Sequence, residues 1–415
     1  MDYRVKDIKL AGGGRLRIEW AERHMPVLMR VREEFSKGKP LSGVRIGACL
    51  HVTKETAVLV RTLKAGGAEV YLCASNPLST QDDIAAALVE DGISVFAWRG
   101  ESSDDYYWSI SRVLEEKPQV MLDDGADLIA TAHVKDMLDE AIGGQEETTT
   151  GVIRLKAMEK SGDLRIPVVA VNDASSKRLF DNYYGTGESS LHGVLRCTNI
   201  LLPGKKVVVL GYGHCGQGIA KMARAVGAHT IVCEVDPIKA LKAYYDGHEV
   251  MPSLRAAEIG DVFITATGCK DVLTREHFMR MRSGAMLANA GHFNVEVSIP
   301  DLKSISRRVR KIRENVEEYE LEDGRKLYLL AEGRLVNLVC GEGHPSEVMD
   351  LSFSLQALCV KYLMENRGEL ESRVYNVPDE VDRRVAELKL ETLGVEIDKL
   401  TEEQQKYLES WKLGT

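Results

Sequence analysis

Short apolar runs alternate with longer amphipathic stretches along the first half of the chain. After a helical pattern over residues 18–35, the sequence predicts five strands, at residues 44–50, 68–74, 94–98, 119–122 and 166–171. These runs are apolar almost throughout, which is typical of strands that are buried on both faces. Such strands, separated by helices, predict a parallel sheet that is covered by helices on both sides.

A second series of the same kind begins after Pro203 and Gly204. Its predicted strands lie at residues 205–211, 229–235, 261–268 and 284–292. We therefore predict an α/β fold with two doubly wound parallel-sheet domains and a short helical C-terminal tail. The charged segment 306–326 predicts a solvated helix and hairpin. The tail is predicted as two polar helices after Pro378, one ending near Gly394 and one capped by Thr401 with Gln404.

Length and composition agree with this picture and limit the function. The 415 residues exceed the size of one ordinary domain, and 44% hydrophobic and 28% charged residues describe a globular chain. The net charge of -9 disfavours binding to a nucleic-acid backbone. No apolar run approaches the roughly 18 residues of a membrane helix, so we expect no membrane partner and a cytoplasmic location. The eight cysteines are scattered, so we expect neither disulfides nor a bound metal.

Polar residues directly follow several predicted strands of the first domain. His51, Asp124 and Asn172 are examples, and Gln81 belongs to a longer polar run after the second strand. Because the carboxyl ends of parallel strands meet at one edge of a sheet, ligands bind there. Taken one at a time, such residues are as well explained as helix caps and turns. Taken together, they favour a small-molecule site at this edge.

The strand at residues 205–210 leads into the pattern Gly-x-Gly-x-x-Gly, formed by Gly211, Gly213 and Gly216, and then into a helix. Such glycines let the backbone approach a pyrophosphate at the positive end of the helix. Glu234 ends the next strand, where an acid holds the ribose hydroxyls and repels a 2′-phosphate. The pattern therefore predicts a Rossmann-like domain that binds NAD rather than NADP. Two residues at later strand ends are candidates for the nicotinamide side: Thr267 and Asn289.

The chain resembles the S-adenosylhomocysteine hydrolase family over nearly its whole length. Eight motifs carry the resemblance, in order: CLHVTKETAVL (49–59), NPLSTQDD (76–83), LDDGADL (122–128), EETTTGV (146–152), VNDASSKRLFDNYYG (171–185), GYGHCGQG (211–218), NAGHFN (289–294), and LAEGRLVNL followed by GHPSEVM (330–349). The resemblance implies reversible cleavage of S-adenosylhomocysteine to adenosine and homocysteine, a step of the methyl cycle in one-carbon metabolism. It also implies NAD that is used and regenerated in each turnover.

The resemblance further implies how the chain is divided and assembled. Residues 1–182, completed by 343–377, would form the substrate-binding domain, and residues 183–342 the NAD-binding domain. The tail at 378–415 would make contacts in a homo-oligomer, a tetramer as in the family.

The resemblance assigns roles to particular residues. Lys177 with Asp181 would serve the 3′-hydroxyl of the ribose, and desolvation of Lys177 beside a carboxylate is expected to ease loss of its proton. Asp124 would take the C4′ proton, with other groups around the sulfur and the water. The implied catalytic set is His51, Asp124, Glu147, Lys177, Asp181, Asn182 and His292. The substrate-binding set adds Thr53, Glu55, Gln81, His344, Met349 and Phe353. The cofactor set is Thr148, Thr149, Thr150, Asn182, Gly211, Gly213, Gly216, Glu234, Thr267, Asn289, Asn337 and Lys412.

Three positions depart from the family's pattern. Thr186 stands where the family often has Cys, Asn294 where Asp is usual, and Glu342 where a hydrophobic residue is usual. Three alternatives stay open: a hydrolase of the inosyl thioether, a net NAD-dependent dehydrogenase, and a catalytically silent relative that binds a nucleotide and a partner. Glu55 favours the adenosyl substrate, because a carboxylate only accepts hydrogen bonds and adenine offers an amine.

Overall fold

A computed structural model describes residues 2–412, which form two sheets covered by helices. The strands of the first sheet are β1 (Arg45–Leu50), β2 (Glu69–Ala74), β3 (Ser94–Phe96), β4 (Val120–Asp123), β5 (Gly143–Glu146), β6 (Val168–Ala170) and β15 (Val374–Asn376). Its helices are α1 (Ala11–His24), α2 (Pro26–Gly38), α3 (Lys54–Ala65), α4 (Asp82–Glu90), α5 (Ser103–Glu115), α6 (Asp127–Val134), α7 (Thr149–Ser161), α8 (Ser175–Lys177), α16 (Ser346–Glu365) and α17 (Asp379–Leu393). All neighbouring strands of this sheet are parallel, as predicted, in the order β15-β6-β5-β4-β1-β2-β3.

The order of the strands reverses at β1, which lies between β2 and β4. In the register of the sheet Cys49 pairs with Asp123, and Asp123 pairs with Glu146. The residues that follow these three strands therefore emerge together at one edge. In open α/β sheets this switch point is where ligands bind.

Apolar patterning does not predict β5 or the short edge strand β15. The backbone of β5 is approached closely by its neighbours: a Cβ on Gly143 would lie 3.0 Å from the Pro167 carbonyl oxygen, and one on Gly144 would lie 2.9 Å from Ile129. Both positions are therefore glycine, and a strand that begins with two glycines has no apolar run to reveal it.

The second sheet is mixed. Its strands are β7 (Lys206–Leu210), β8 (His229–Cys233), β9 (Glu249–Val250), β10 (Val262–Thr265), β11 (Met286–Asn289), β12 (Ser306–Arg313), β13 (Val316–Leu321) and β14 (Lys326–Leu330). Its helices are α9 (Thr186–Thr198), α10 (His214–Ala225), α11 (Pro237–Tyr245), α12 (Ser253–Ala257), α13 (Arg275–Arg280), α14 (Ile299–Ser304) and α15 (Val336–Val339). The order is β12-β13-β14-β11-β10-β7-β8-β9, parallel except that β13 runs antiparallel to both of its neighbours, β12 and β14. The strands predicted within 205–292 are parallel, as expected, and the antiparallel edge belongs to the segment 306–326. The helix predicted within 306–326 is wrong, since the segment holds β12 and β13, whereas its solvated hairpin is confirmed by the exposure of β12.

Helix α16 returns the chain to the first sheet, where it packs on α2, α3 and β5. Helix α17 lies on α2 and α16, and its Lys389 pairs with the buried Asp350 at 2.9 Å. As predicted, α17 ends at Gly394, and α18 (Glu402–Leu408) begins at Thr401 with a reciprocal cap from Gln404. No helix within residues 2–412 combines the length and apolar character that a bilayer crossing requires.

Candidate active site

A cavity lies at the switch point of the first sheet, and residues of the second domain, among them Cys215, Ala290 and His292, line its other side. The predicted substrate residues on its wall are His51, Thr53, Glu55, Asp124, Glu147, Lys177, Asp181, His292, His344, Met349 and Phe353. Gln81 does not line it, and its side-chain oxygen instead accepts a hydrogen bond from Arg17 at 2.8 Å. The sequence reasoning missed several lining residues: Leu50, Thr56, Cys215, Ala290, Leu335 and Leu338.

A π-helix over Arg178–Gly185 shapes the polar centre of this cavity. This helix follows Lys177 directly and has i to i+5 spacing. The side chains four and five residues after Lys177 therefore both reach its amine. The Lys177 Nζ donates to Asp181 Oδ1 at 3.1 Å and to Asn182 Oδ1 at 2.7 Å. Glu147 Oε1 lies 3.5 Å from the same nitrogen. All four side chains are buried, so these contacts are shielded from water.

The charges of this group depend on each other. Burial alone would lower the pKa of Lys177, but Asp181 and Glu147 outweigh it and hold that pKa above its usual value. Burial alone would raise the pKa of Asp181, but Lys177 and then His344 outweigh it and hold that pKa below its usual range. The expectation that desolvation eases proton loss from Lys177 is therefore wrong for this arrangement. Burial raises the pKa of Glu147 to about 8, although Lys177 opposes the shift.

Asp124 lies between two imidazoles. Its carboxylate oxygens are 3.5 Å from His51 Nε2 and 3.4 Å from His292 Nδ1. Burial lowers the pKa of His51 to about 4, against the pull of Asp124, and burial also lowers the pKa of His292. Both rings are therefore neutral near pH 7.

The two ring nitrogens of His51 face different partners. Nδ1 lies 2.8 Å from the Ser79 hydroxyl, which itself lies 3.2 Å from the Asn76 carbonyl oxygen. Nε2 faces Asp124 at 3.5 Å. A neutral imidazole between a hydroxyl and a carboxylate can relay protons, because one ring nitrogen accepts a proton and the other donates one.

The same three groups also have the spacing of a metal site. Their ligand atoms on His51, Asp124 and His292 lie within 4.8 Å of one another. The absence of a metal therefore stays a prediction from the sequence.

Two buried acids support the loops that carry these groups. Asp123 accepts the backbone N–H groups of Asp124 at 3.0 Å and Ile129 at 2.8 Å, and Glu146 Oε1 accepts those of Gly125 and Thr148. Burial raises the pKa of Asp123 to about 7 and that of Glu146 well above its usual value. The sequence reasoning missed Glu146. The available signal in the sequence was an acid at the end of a glycine-rich strand.

Helix α16 contributes two further residues that the sequence reasoning missed. The Ser352 hydroxyl donates to Asp181 Oδ2 at 2.8 Å, and Gln356 Nε2 donates to Glu147 Oε2 at 2.6 Å. They lie four residues apart, so one face of the helix carries both. Polar residues at helical spacing within an otherwise apolar helix were the available signal.

The predicted purine residues lie where α3 meets α16. Thr53 caps α3, and Glu55 Oε1 accepts from the Ser346 hydroxyl at 2.6 Å and lies 3.1 Å from Lys54 Nζ. Glu342, one of the departures from the family's pattern, lies 3.1 Å from the same Lys54 nitrogen. An acid at this position thus forms an ion pair between the two domains.

The second domain offers a cradle that fits a dinucleotide. Helix α10 begins at His214, and the glycine before it, Gly213, provides no side-chain cap; a Cβ on Gly213 would meet none of the described residues within 4 Å. Gly211 has φ of 99°, and a Cβ on Gly216 would lie 2.0 Å from the Gly211 carbonyl oxygen. Glu234 accepts the backbone N–H of Tyr212 at 2.7 Å, which places its carboxylate beside the loop. Open space at a free helix N-terminus is what a pyrophosphate needs.

The other predicted cofactor residues are of three kinds: some are held by hydrogen bonds within the second domain, some line the cavity, and some lie away from both. Thr267 donates its hydroxyl to the buried Glu296 at 2.7 Å, and Glu296 was missed by the sequence reasoning. Asn289 is fully buried, and its amide donates to the carbonyls of Phe293 and Gly333, both at 2.9 Å. The predicted residues on the cavity wall are Thr148, Thr149, Asn182 and Asn337. Thr150 lies near Gly268, and Lys412 lies in the exposed tail.

Two family models match the chain. One, described as the NAD-binding domain of S-adenosyl-L-homocysteine hydrolase, matches residues 182–343. The other, described as S-adenosyl-L-homocysteine hydrolase, matches residues 2–137.

Full-length relatives are similar over the whole chain. An adenosylhomocysteinase of Sulfurisphaera tokodaii is 60% identical, covering 100% of both chains. An adenosylhomocysteinase of Aquifex aeolicus is 59% identical, and an S-inosyl-L-homocysteine hydrolase of Methanocaldococcus jannaschii is 54% identical, each again covering 100% of both chains. Among solved structures, a dipicolinate synthase from Bacillus halodurans matches with a TM-score of 0.50 at 14% identity, covering 78% of this chain and 99% of that one. This last likeness shows the α/β fold alone.

Proposed function

Because the chain belongs to the S-adenosyl-L-homocysteine hydrolase family, we propose that it catalyses the reversible hydrolysis of S-adenosyl-L-homocysteine to adenosine and L-homocysteine, with NAD as cofactor. The observation that carries the proposal is that one cavity holds two proton-handling groups. Lys177 with Asp181 forms one group, and Asp124 between two imidazoles forms the other.

The same proposal extends to the organisation of the chain. Residues 1–182 with 343–377 bind the substrate, residues 183–342 bind NAD, and the tail from residue 378 contributes to a homotetramer. Support for the last point comes from the exposed apolar side chains of the tail, among them Tyr407, Leu408 and Trp411.

The reaction explains why a hydrolase needs two proton-handling groups. A thioether carbon–sulfur bond is inert to water, but a ketone at C3′ acidifies the C4′ proton, so the sulfur can leave by elimination. Water then adds at C5′, and reduction at C3′ restores the ribose. When bound, NAD would accept the C3′ hydride and later donate it back.

At C3′ the chain has to remove the proton of the hydroxyl. An ammonium cannot accept a proton, so Lys177 acts here in its neutral form, after releasing one proton to water against the raised pKa that Asp181 and Glu147 give it. The neutral amine then takes the hydroxyl proton and becomes an ammonium again. Asp181 and Asn182 hold the amine in position through hydrogen bonds of 3.1 and 2.7 Å.

At C4′ and C5′ the work falls to the Asp124 group. Asp124 takes the C4′ proton, which reaches the departing sulfur through His51 or His292, each within 3.5 Å of the carboxylate. His51, neutral near pH 7, then accepts a proton from the attacking water through its unprotonated ring nitrogen. The proton returns to C4′ through Asp124 once the oxygen has added.

The inosyl thioether is a second candidate substrate, because a relative that is 54% identical over the whole chain bears the name S-inosyl-L-homocysteine hydrolase. The surroundings of Glu55 favour the adenosyl substrate. Ser346 and Lys54 engage Oε1, so Oε2 remains to accept the adenine amine. An inosine oxygen at this place would face an acceptor without a donor, at a cost of about 1–3 kcal/mol, which corresponds to a preference of about 5- to 150-fold for the adenosyl substrate.

The test is thiol release from the adenosyl and inosyl thioethers, with NADH followed by absorbance. We expect faster release from the adenosyl thioether and no steady accumulation of NADH. Steady NADH accumulation without thiol release would show a net dehydrogenase instead. Faster release from the inosyl thioether would contradict the role of Glu55. Glu55→Gln should reduce the difference in the rate of thiol release between the two substrates.

A further inference from the structure

Two buried cysteines meet where the first and the last helix of the second domain pack together. Cys197 lies near the end of α9, and Cys340 directly follows α15. The two helices touch through their backbones, since a Cβ on Gly193 would lie 2.3 Å from the Val336 carbonyl oxygen. Cys197 comes four residues after Gly193, and Cys340 comes four residues after Val336, so each cysteine lies one turn further along the same face. A hydrogen bond joins the two thiols.

The surroundings of this pair are electropositive. Arg313 donates to the carbonyl of the residue after Cys197, and Arg99 donates to the carbonyl of the residue before Cys340, both at 2.8 Å. The hydrogen bond from Cys340 lowers the pKa of Cys197, with a smaller contribution from Arg313, although burial opposes this shift. The same hydrogen bond raises the pKa of Cys340. Cys197 is therefore the thiol that ionises first, and the ionised form is the one that reacts.

A second pair of cysteines lies in surroundings that keep thiols unreactive. Cys49 and Cys73 are opposite each other on β1 and β2, and both are 0% exposed. Their hydrogen bond raises the pKa of Cys49, and burial raises the pKa of Cys73, so both stay protonated near pH 7. Cys197 and Cys340 retain an exposure of 6% and 5%, which lets a small oxidant reach them. The two pairs therefore provide a comparison within one chain.

We propose that Cys197 and Cys340 are a site of oxidation, where a disulfide ties α9 to α15. With a peroxide as the oxidant, the Cys197 thiolate attacks one oxygen, and the oxygen–oxygen bond breaks to give a sulfenic acid and hydroxide. The Cys340 thiol then attacks the sulfur of the sulfenic acid. The sulfur–sulfur bond forms, and the departing hydroxide leaves with the thiol proton as water. Two electrons have then passed from the two thiols to the peroxide.

The disulfide would close the second domain into one long loop. All strands from β7 to β14 lie between the two cysteines. A bond across so long a loop restricts the unfolded chain strongly and so stabilises the folded one. Neither cysteine lines the active-site cavity, so oxidation should stabilise the domain without changing turnover. The spacing of the cysteines predicts no disulfide, because this pair meets only in the fold.

The experiment starts from the natural NAD-loaded protein, reduced with dithiothreitol and then treated with hydrogen peroxide. Remaining thiols are blocked with N-ethylmaleimide, and unreduced peptides are analysed by mass spectrometry. We expect a cross-link between the peptides of Cys197 and Cys340, with Cys49 and Cys73 still reduced. The melting temperature should rise by about 10 °C and fall back when dithiothreitol is added. The rate of thiol release from the thioether substrate should be unchanged.

Variants separate the two thiols. Cys197→Ser should form no cross-link and gain no stability from peroxide. Cys340→Ser should also form none, and its sulfenic acid at Cys197 should be trapped by dimedone. Cys269→Ser, at an exposed thiol, is the matched control and should keep both responses of the natural protein.

Three results would overturn the inference. One is a natural protein without a cross-link between Cys197 and Cys340, and another is a cross-link that joins Cys49 to Cys73 first. The third is a cross-linked protein that melts at the temperature of the reduced one. All three are measured on the natural protein, so a variant that fails to fold leaves the test intact. None of them depends on which thioether the enzyme cleaves.

Discussion

Replacing Asp124 by Asn should separate oxidation of the ribose from loss of its C4′ proton. The nearest partners of the carboxylate within residues 2–412 are the imidazoles of His51 and His292, at 3.5 and 3.4 Å. Both imidazoles are buried, and burial lowers their pKa values, so neither pairs with Asp124 as a cation near pH 7. Asn keeps the shape of the side chain and removes its basicity. Asp123, which holds the turn through two backbone N–H groups, is untouched.

The size of the effect follows from the role of a positioned base. Loss of one lowers the rate of the step by roughly 10² to 10⁴, which corresponds to about 3–5 kcal/mol of activation free energy. Reduction of bound NAD by adenosine depends on Lys177 and Asp181, so Asp124→Asn should leave it within a few-fold of the natural rate. Lys177→Met should abolish both reduction and exchange, because no ketone forms to acidify C4′.

The assay uses adenosine in deuterated water, with NADH followed by absorbance and deuterium at C4′ followed by mass spectrometry. Lys177→Met leaves Asp181 and Glu147 buried without their cation, at a cost of about 3–5 kcal/mol in stability. Lys177→Met combined with Asp181→Asn removes one of these charges and is the control for folding, and both variants must retain NAD. If Asp124→Asn exchanges at the natural rate, Asp124 is not the C4′ base. If Lys177→Met reduces NAD normally, the role of the Lys177 pair is wrong.

The cofactor cradle, the buried histidine and the tail each give one further prediction. The purified protein should carry NAD. Glu234→Gln should reduce the preference for NAD over NADP by about tenfold or more, because a like charge beside the 2′-phosphate is removed. Equal binding of NAD and NADP by the natural protein would contradict this. Burial lowers the pKa of His51 from 6.5 to about 4, so the folded state binds fewer protons than the unfolded state between these values. The free energy of unfolding should therefore rise with pH across that window, by up to about 3 kcal/mol from this group, and urea titrations of His51→Gln should show a shallower rise; an unchanged pH profile would show that His51 is not buried as a neutral base. Deleting residues 401–415 should weaken assembly and NAD retention together, and sedimentation of the natural protein as a monomer at micromolar concentration would refute the tetramer.

The two sheets were largely predictable because their strands are buried on both faces. Burial on both sides demands apolar residues at every position, and β1, β2 and β4 accordingly stand out as apolar runs. The carboxyl ends of these strands are also predictable, so we expected His51 and Asp124 to lie at the same edge of the sheet. Strand β5 was not, because close packing against its backbone selects glycine and removes the apolar signal.

The sequence by itself determined the α/β fold, the dinucleotide motif and the residue types available for proton transfer, since these depend on local pattern and spacing. Only the tertiary structure decided how those residues act on each other. The π-helix brings Asp181 and Asn182 to the same amine, and α16 supplies partners for Asp181 and Glu147 from 171 and 209 residues away in sequence. The pKa of Lys177 is raised because Asp181 and Glu147 outweigh burial, whereas the pKa of Glu147 is raised by burial itself, against the effect of Lys177. Charge states depend on distance and on exclusion of water, and neither quantity is written in the order of residues along the chain.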